Sequence, residues 1–252
     1  MTKKKYIDTH SYWERRLASD LTLRGTGHRA FSLDYNHWLY QAQLDSVNWL
    51  FQEHHVDVEG RDILDVGSGS GVYVDYFQQR GSRSVTGVDV APSSVNYLQT
   101  HFPTGKFYLA DISDPELSLQ GRFGIISVMS VLYHIIEDER FKQALQNLCE
   151  LIGEGGYFLI SDTFAHGISI TAKHARFRPL GNYLGVFSHH NIAILQILPL
   201  YYLLNRTFIP LVGPQLASTL RLGKLFYHID SRFRIAGFGN GAGMKLMLAQ
   251  KQ

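Results

Sequence analysis

The sequence predicts an α/β fold, a mostly parallel sheet with helices on both faces, and three observations carry that prediction. Between residues 61 and 162, short apolar runs alternate with helix-period segments, the mark of repeated strand–helix units. The first run, in "DILDVGSGSGVYVDYF", empties into Gly67, Gly69 and Gly71 and then opens an apolar-periodic segment. Three acids, Asp65, Asp89 and Asp111, stand at the ends of the first three runs.

Taken in order, the first 60 residues read as helical. "SYWERRLASDLTLRGTGHRAF" gives a short helix and a turn around Gly25 and Gly27, and Tyr40, Leu44, Val47 and Phe51 place one apolar face on a helix over 35–54. Strands are expected at 61–66, 84–89, 106–110, 123–129 and 156–161, with helices near 70–80, 92–101 and 138–152. In the last of these, Glu137, Asp138 and Glu139 suit the N-terminus, Phe141, Leu145, Leu148 and Ile152 form the stripe, and Gly153 is the expected stop. Residues 164–182, rich in His, Gly and Arg, read as irregular; a strand at 190–198, a helix at 214–228 and the closing strand "GMKLMLAQK" follow. No repeat or linker interrupts the chain. It reads as one domain, 1–252, with a helical cap over 1–60, a core over 61–162 and a C-terminal elaboration over 163–252.

Composition narrows the partners. The 252 residues are 45% hydrophobic and 18% charged, enough for one sizeable core. A formal charge of +2 gives no reason to expect nucleic acid, and the one basic run, Lys3 to Lys5, reads as a solvated tail. Cys149 is the sole cysteine, and "YIDTHSYWERR" after the basic start has no apolar core of a secretion signal, so a cytoplasmic setting is expected. The apolar stretch Ile192 to Asn205 is 14 residues long and broken by Gln196 and Pro199, short for a membrane span. It reads as a buried strand and helix, with contact to a lipid surface as the alternative and no stable insertion.

A glycine pair in a loop is weak evidence by itself. Here the loop leaves a strand and opens a helix, where free backbone N–H groups face a ligand and missing side chains allow close approach. Val72 stands where a dinucleotide fingerprint wants glycine, and no phosphate-loop lysine follows. Asp65 would repel a pyrophosphate but suits a cation. Asp89, 22 residues after Gly67, can accept from both ribose hydroxyls, and Asp111, 22 residues further on, lies within reach of an adenine amino group. Each acid alone reads equally as a cap or turn residue; three at one sheet edge make a crevice.

"ILDVGSGSG", "VTGVDVAP", "FYLADIS", "FGIISVMSVLYHI" and "LCELIGEGGYFLISD" resemble, in order and spacing, the motifs of class I S-adenosylmethionine-dependent methyltransferases of small-molecule type. That resemblance implies a Rossmann-like, seven-stranded sheet of order 3-2-1-4-5-7-6 with one antiparallel strand. It implies S-adenosylmethionine as methyl donor. Gly67, Ser68, Gly69 and Gly71 would surround its methionine part, Asp65 would meet its amino group, Asp89 with Val90 would hold the ribose, and Asp111 with Ile112 would frame the adenine. Ser127 to Ser130, Met129 among them, after the fourth strand, would wall the sulfonium. The start of the chain is similar to the lids of such enzymes, although Gln41 and Gln43 stand where relatives often have arginines, which leaves the partner of the cofactor carboxylate open.

Methyl transfer from a sulfonium is an in-line displacement that asks the protein for positioning, exclusion of water and removal of a proton from a weak nucleophile. His134, His166 and Asp162, at the carboxyl edge of the sheet, are the candidate catalytic residues. Tyr12 and His28 of the cap, with Tyr133, His174 and Arg176, are the candidate acceptor-binding residues. No metal is expected, because the fourth strand ends without an acid and a divalent ion wants several oxygen ligands. DNA bases are disfavoured as acceptors by the absence of an Asn-Pro-Pro-Tyr type motif. The expected reaction is O-methylation of a natural-product or saccharide-type metabolite. N- or C-methylation, a lipid or quinone acceptor, and a non-catalytic cofactor-binding protein are the alternatives.

Overall fold

Val, Ile and Phe dominate the five expected runs, and they pair side by side in a computed structural model that describes residues 8–164, 170–171, 174–205, 213–235 and 243–252. Strands β1 (Asp62–Val66), β2 (Ser84–Asp89), β3 (Lys106–Leu109), β4 (Phe123–Met129) and β5 (Ile152–Asp162) are parallel. Beyond β5, strand β7 (Lys245–Lys251) runs antiparallel and is followed by β6 (Ile192–Pro199), so the order is 3-2-1-4-5-7-6 as expected. A separate two-residue ladder joins Ile170–Thr171 to Arg176–Phe177.

Successive residues of a strand face opposite sides, and the two cores follow that alternation. Ile63, Val85 and Ile125 pack against α3 (Leu33–Glu53), α4 (Val72–Gln79) and α5 (Pro92–His101). Leu64, Val88 and Ile126 pack on the other face against α6 (Asp138–Leu151) and α7 (Leu180–Phe187). Helices α1 (Thr9–Ser19) and α2 (Leu23–Thr26) precede α3 and complete the cap, while α8 (Pro214–Thr219) and α9 (Leu222–Ile235) lie beside α3.

Two local expectations are corrected. Gly153 does not stop α6: Ile152 leaves the helix in extended backbone and the chain runs straight into β5, which pairs from its first residue with Phe123. The single helix expected over 214–228 is broken, because Arg221 adopts the left-handed conformation with φ of 51° between α8 and α9.

Candidate active site

The loop from β1 to α4 is shaped by its glycines. Gly67 has φ of 68°, and a Cβ there would lie 2.4 Å from a methyl of Val131. Its N–H, with that of Ser68, donates to the Val88 carbonyl at 2.7 and 3.2 Å. Asp89 fixes the same loop from β2: Oδ2 accepts from Gly69 N at 2.8 Å and Oδ1 from Ala91 N at 2.9 Å. These elements border a cavity of about 670 Å³ lined by Asp65, Gly67, Ser68, Gly69, Asp89 and Val90, among others.

Asp65 sits at the floor, opposite Gly87 and Ser127 in the sheet register, and is 2% exposed. Burial pushes its carboxyl up to about 7, against a smaller downward pull from the nearby Ser127 and Ser68 hydroxyls. Its Oδ2 makes no hydrogen bond. A buried, unpartnered carboxylate oxygen beside a side-chain-free loop fits an ammonium group, which would return the carboxyl to its charged form. At the adenine end, Asp111, Ile112 and Arg140 line the cavity. Burial pushes the Asp111 carboxyl up, but Ser113, which donates from N and Oγ at 2.8 and 2.5 Å, together with His10 and Arg140, holds it below its usual value.

The cap forms the roof. Arg16, one helical turn after Tyr12, is buried, lines the cavity, and donates to the carbonyls of Gly25 (2.5 Å) and Gly27 and to the Tyr12 hydroxyl (3.1 Å). Thr26 spans the two parts: Tyr40 donates to its hydroxyl at 2.8 Å, that hydroxyl pairs with Ser70 Oγ at 3.3 Å, and its methyl lies over Gly69. Gln43 is buried between the hydroxyls of Tyr73 and Tyr201, and Gln41 bonds Asp45. Arg16 is therefore, with Arg29, a cap arginine on the cavity wall, and its signal in the sequence was the Tyr12–Arg16 spacing of one turn.

The remaining wall is aromatic. His134 is 8% exposed, its Nδ1 lies 2.8 Å from the carbonyl of His174, and its ring meets Trp13 edge-on at 4.8 Å. The carbonyl partner fixes the proton on Nδ1 and leaves Nε2 as the basic nitrogen. Burial pushes the imidazole down to about 3, so it is neutral throughout the physiological range. His174 stacks on both His134 and Tyr12, and Tyr133 packs on Phe177. His28 also lines the cavity; its Nδ1 is buried without a partner, and burial with the nearby Arg16 lowers its pKa.

The cavity thus gathers Met129 with the acceptor candidates Tyr12, His28, Tyr133 and His174, beside His134. Four expected residues stand outside it. Gly71 caps α4, where a Cβ would strike the Phe102 ring, so its glycine serves the fold. Ser127, on β4 between Asp65 of β1 and Leu159 of β5, is fully buried. Asp162 is fully buried and engaged by the Tyr183 hydroxyl at 2.6 Å and Thr163 N at 2.5 Å; burial pushes it up to about 6. Arg176 pairs with Asp138 at 2.6 Å. The remaining catalytic candidate, His166, lies outside the described residues.

A class I methyltransferase fold with a capped glycine-loop cavity is the class these features define. A family model, "Methyltransferase domain", matches residues 35–207, and the chain belongs to that family. Among curated proteins it is similar to the ubiquinone biosynthesis O-methyltransferases of Chromobacterium violaceum, 28% identical over 44% of this chain, and Coxiella burnetii, 27% identical over 47%. The chain spans 48% and 50% of those relatives. Among solved structures it resembles magnesium protoporphyrin IX methyltransferase from Synechocystis with bound S-adenosylmethionine, with a TM-score of 0.63, 15% identity, and coverage of 99% of this chain and 100% of that one. An N-methyltransferase from Bradyrhizobium japonicum in complex with S-adenosylhomocysteine matches with a TM-score of 0.58 at 12% identity, covering 97% and 99%.

Proposed function

We propose that the protein transfers a methyl group from S-adenosylmethionine to a hydroxyl oxygen of a small, partly aromatic natural-product or saccharide-type acceptor. The observation that carries this reading is the presence of two uncharged imidazoles, His134 and His28, in one cavity with the glycine loop. The bound donor supplies an electrophilic sulfonium methyl. Asp65 receives the donor's ammonium, Arg16 its carboxylate, Asp89 its ribose, and Ile112 with Asp111 its adenine. Trp13, Tyr133 and His174 flank the acceptor as flat apolar walls and exclude water.

An oxygen nucleophile must shed a proton as it is methylated, and a neutral imidazole can take it. His134, with a pKa near 3, holds a proton poorly, so it serves to orient the acceptor hydroxyl through Nε2. The unpartnered Nδ1 of His28 is the proton acceptor in this reading. Asp162, held by the Tyr183 hydroxyl away from the cavity wall, is the described candidate that this reading leaves idle. The names of the curated relatives, O-methyltransferases, agree with an oxygen acceptor.

The test has two stages. Calorimetry with S-adenosylhomocysteine establishes the donor site; absence of binding at about 0.1 mM would remove it. Methyl-labelled donor is then incubated with matched phenol, amine and carbon-acid panels. Label entering amines or carbon acids but no hydroxyl would overturn the oxygen assignment. Full turnover in His28→Ala would overturn the proton acceptor.

A further inference from the structure

Among the described residues, eight large apolar side chains stand exposed, and four of them, Leu33, Leu216, Leu220 and Leu225, gather on α8, α9 and the first turn of α3. Their exposures are 50, 45, 56 and 53%. One exposed leucine is ordinary; a cluster marks contact with another apolar phase. The cluster is built, not splayed: Ser32 N donates to Ser218 Oγ at 2.9 Å, and Gly223 lets α9 close on Tyr35 and Trp38.

Helix α9 is two-faced. Gly223, Phe226 and Asp230 point inward, where Asp230 accepts from the backbone N–H groups of Tyr202, Leu203 and Leu204 at 3.0, 2.7 and 3.1 Å. Arg221 at its start, then Lys224, Leu225, His228 and Arg232, are exposed at spacings that share one side of a helix. Residues 206–252 carry seven lysines and arginines and a single acid, the buried Asp230, in a chain whose net charge is only +2. Three of these cations, Arg221, Lys224 and Arg232, stand exposed on this side of α9. Asp34, exposed on the first turn of α3, and Asp45, which accepts from the Tyr227 hydroxyl at 2.5 Å, are the acids of α3 facing these helices, against the exposed Arg221, Lys224 and Arg232.

We propose that this face docks on an anionic phospholipid membrane surface. A second copy of the chain is a poor occupant, because a two-fold contact would set the cationic stripe against itself. Nucleic acid would satisfy the cations and leave four leucines in water. An anionic bilayer answers both, with leucines at the acyl boundary and cations among the headgroups. No helix among the described residues is long and apolar enough to cross a membrane, and docking needs none. The face also adjoins the cavity: His28, Arg29 and Ala30 line it just before Ser32, and Asn205 lines it just after the segment held by Asp230. A lipophilic acceptor would pass from bilayer to cavity along that edge; this last step rests on the methyl-transfer reading, whereas the docking does not.

Flotation of the full chain with phosphatidylcholine vesicles, and with vesicles about one-third phosphatidylglycerol, tests the proposal. The protein is expected to float with the anionic vesicles only and to be released by salt. Lys224→Gln with Arg232→Gln should lower partitioning about 30-fold, and Leu216→Ser with Leu220→Ser and Leu225→Ser at least about 10-fold. Both variants should bind S-adenosylhomocysteine as the unaltered chain does, which verifies their fold. Absence of flotation, or flotation unchanged in both variants, would overturn the docking. So would a dimer in sedimentation that the leucine variant dissolves, or a shifted oligonucleotide that the charge variant releases, in protein that does not float. Failure to bind S-adenosylhomocysteine in the unaltered chain counts against methyl transfer and leaves the flotation result standing.

Discussion

The donor side of the cavity is held by backbone: Gly67 and Ser68 donate to Val88, and Asp89 ties Gly69 to the start of α5. The acceptor side is held by side chains from distant parts of the chain. The His174 carbonyl fixes His134 across 40 residues, and Arg178 reaches Ile135, Ile136 and Asp138 at 2.8, 2.9 and 2.9 Å. The first arrangement tolerates little change in sequence, because backbone conformation dictates glycine and Asp. The second can be rebuilt with different side chains, so it is where one fold acquires different acceptors.

Substitutions on the two sides should fail differently. Asp65→Asn is expected to weaken S-adenosylmethionine binding on the order of 100-fold in calorimetry, since it removes a charged hydrogen bond to the ammonium. It should also flatten a pH trend. Because burial raises the folded pKa to about 7, Asp65 contributes its full share of stability below its unfolded value near 3.8 and loses it as pH rises through 7. Urea unfolding of unliganded wild type minus variant should therefore show the wild type falling behind between about pH 4 and 7. An equal pH trend in both proteins would show that Asp65 is not the titrating group.

Arg178→Met should cost about 2 kcal/mol of stability, because Asp138 is half exposed and keeps its water while the Ile135 and Ile136 carbonyls lose their partner. Equal urea midpoints would mean that the aromatic wall does not depend on it. Arg16→Ala should lower kcat/KM about 30-fold with a smaller effect on stability, since the cap positions ligands rather than the sheet. His134→Ala is expected to cut kcat about 10-fold and leave the cofactor Kd unchanged; a matched rise in Kd would move it to the donor side. Arg176→Ala should change KM less than about twofold, because its charge is spent on exposed Asp138.

This division also explains what could be read in advance. The glycine loop, Asp65, Asp89 and Asp111 are visible in sequence because each stands at the end of an apolar run, whereas the strand order followed only from the resemblance to the family. The break at Arg221 and the passage of α6 into β5 are tertiary outcomes: the first interrupts an expected helix without a local stop signal, and in the second the pairing of Ile152 turns the chain into a strand before Gly153. Asp162 and Arg176 were drawn into the site by position in the chain alone; Tyr183 and Asp138, the groups that occupy them, come from other elements. Thr26 was invisible as a site residue because its Ser70 partner lies 44 positions away, and Arg16 was marked only by its one-turn spacing from Tyr12.

Thr26 has a kinetic consequence. With its methyl over Gly69 and its hydroxyl held by Tyr40 and Ser70, a molecule lying along the loop cannot depart until the two hydroxyl contacts part. At about 1 kcal/mol each, they slow exchange roughly 30-fold and no more. Such a latch would slow the departure of any nucleoside lying along the loop without sealing it in.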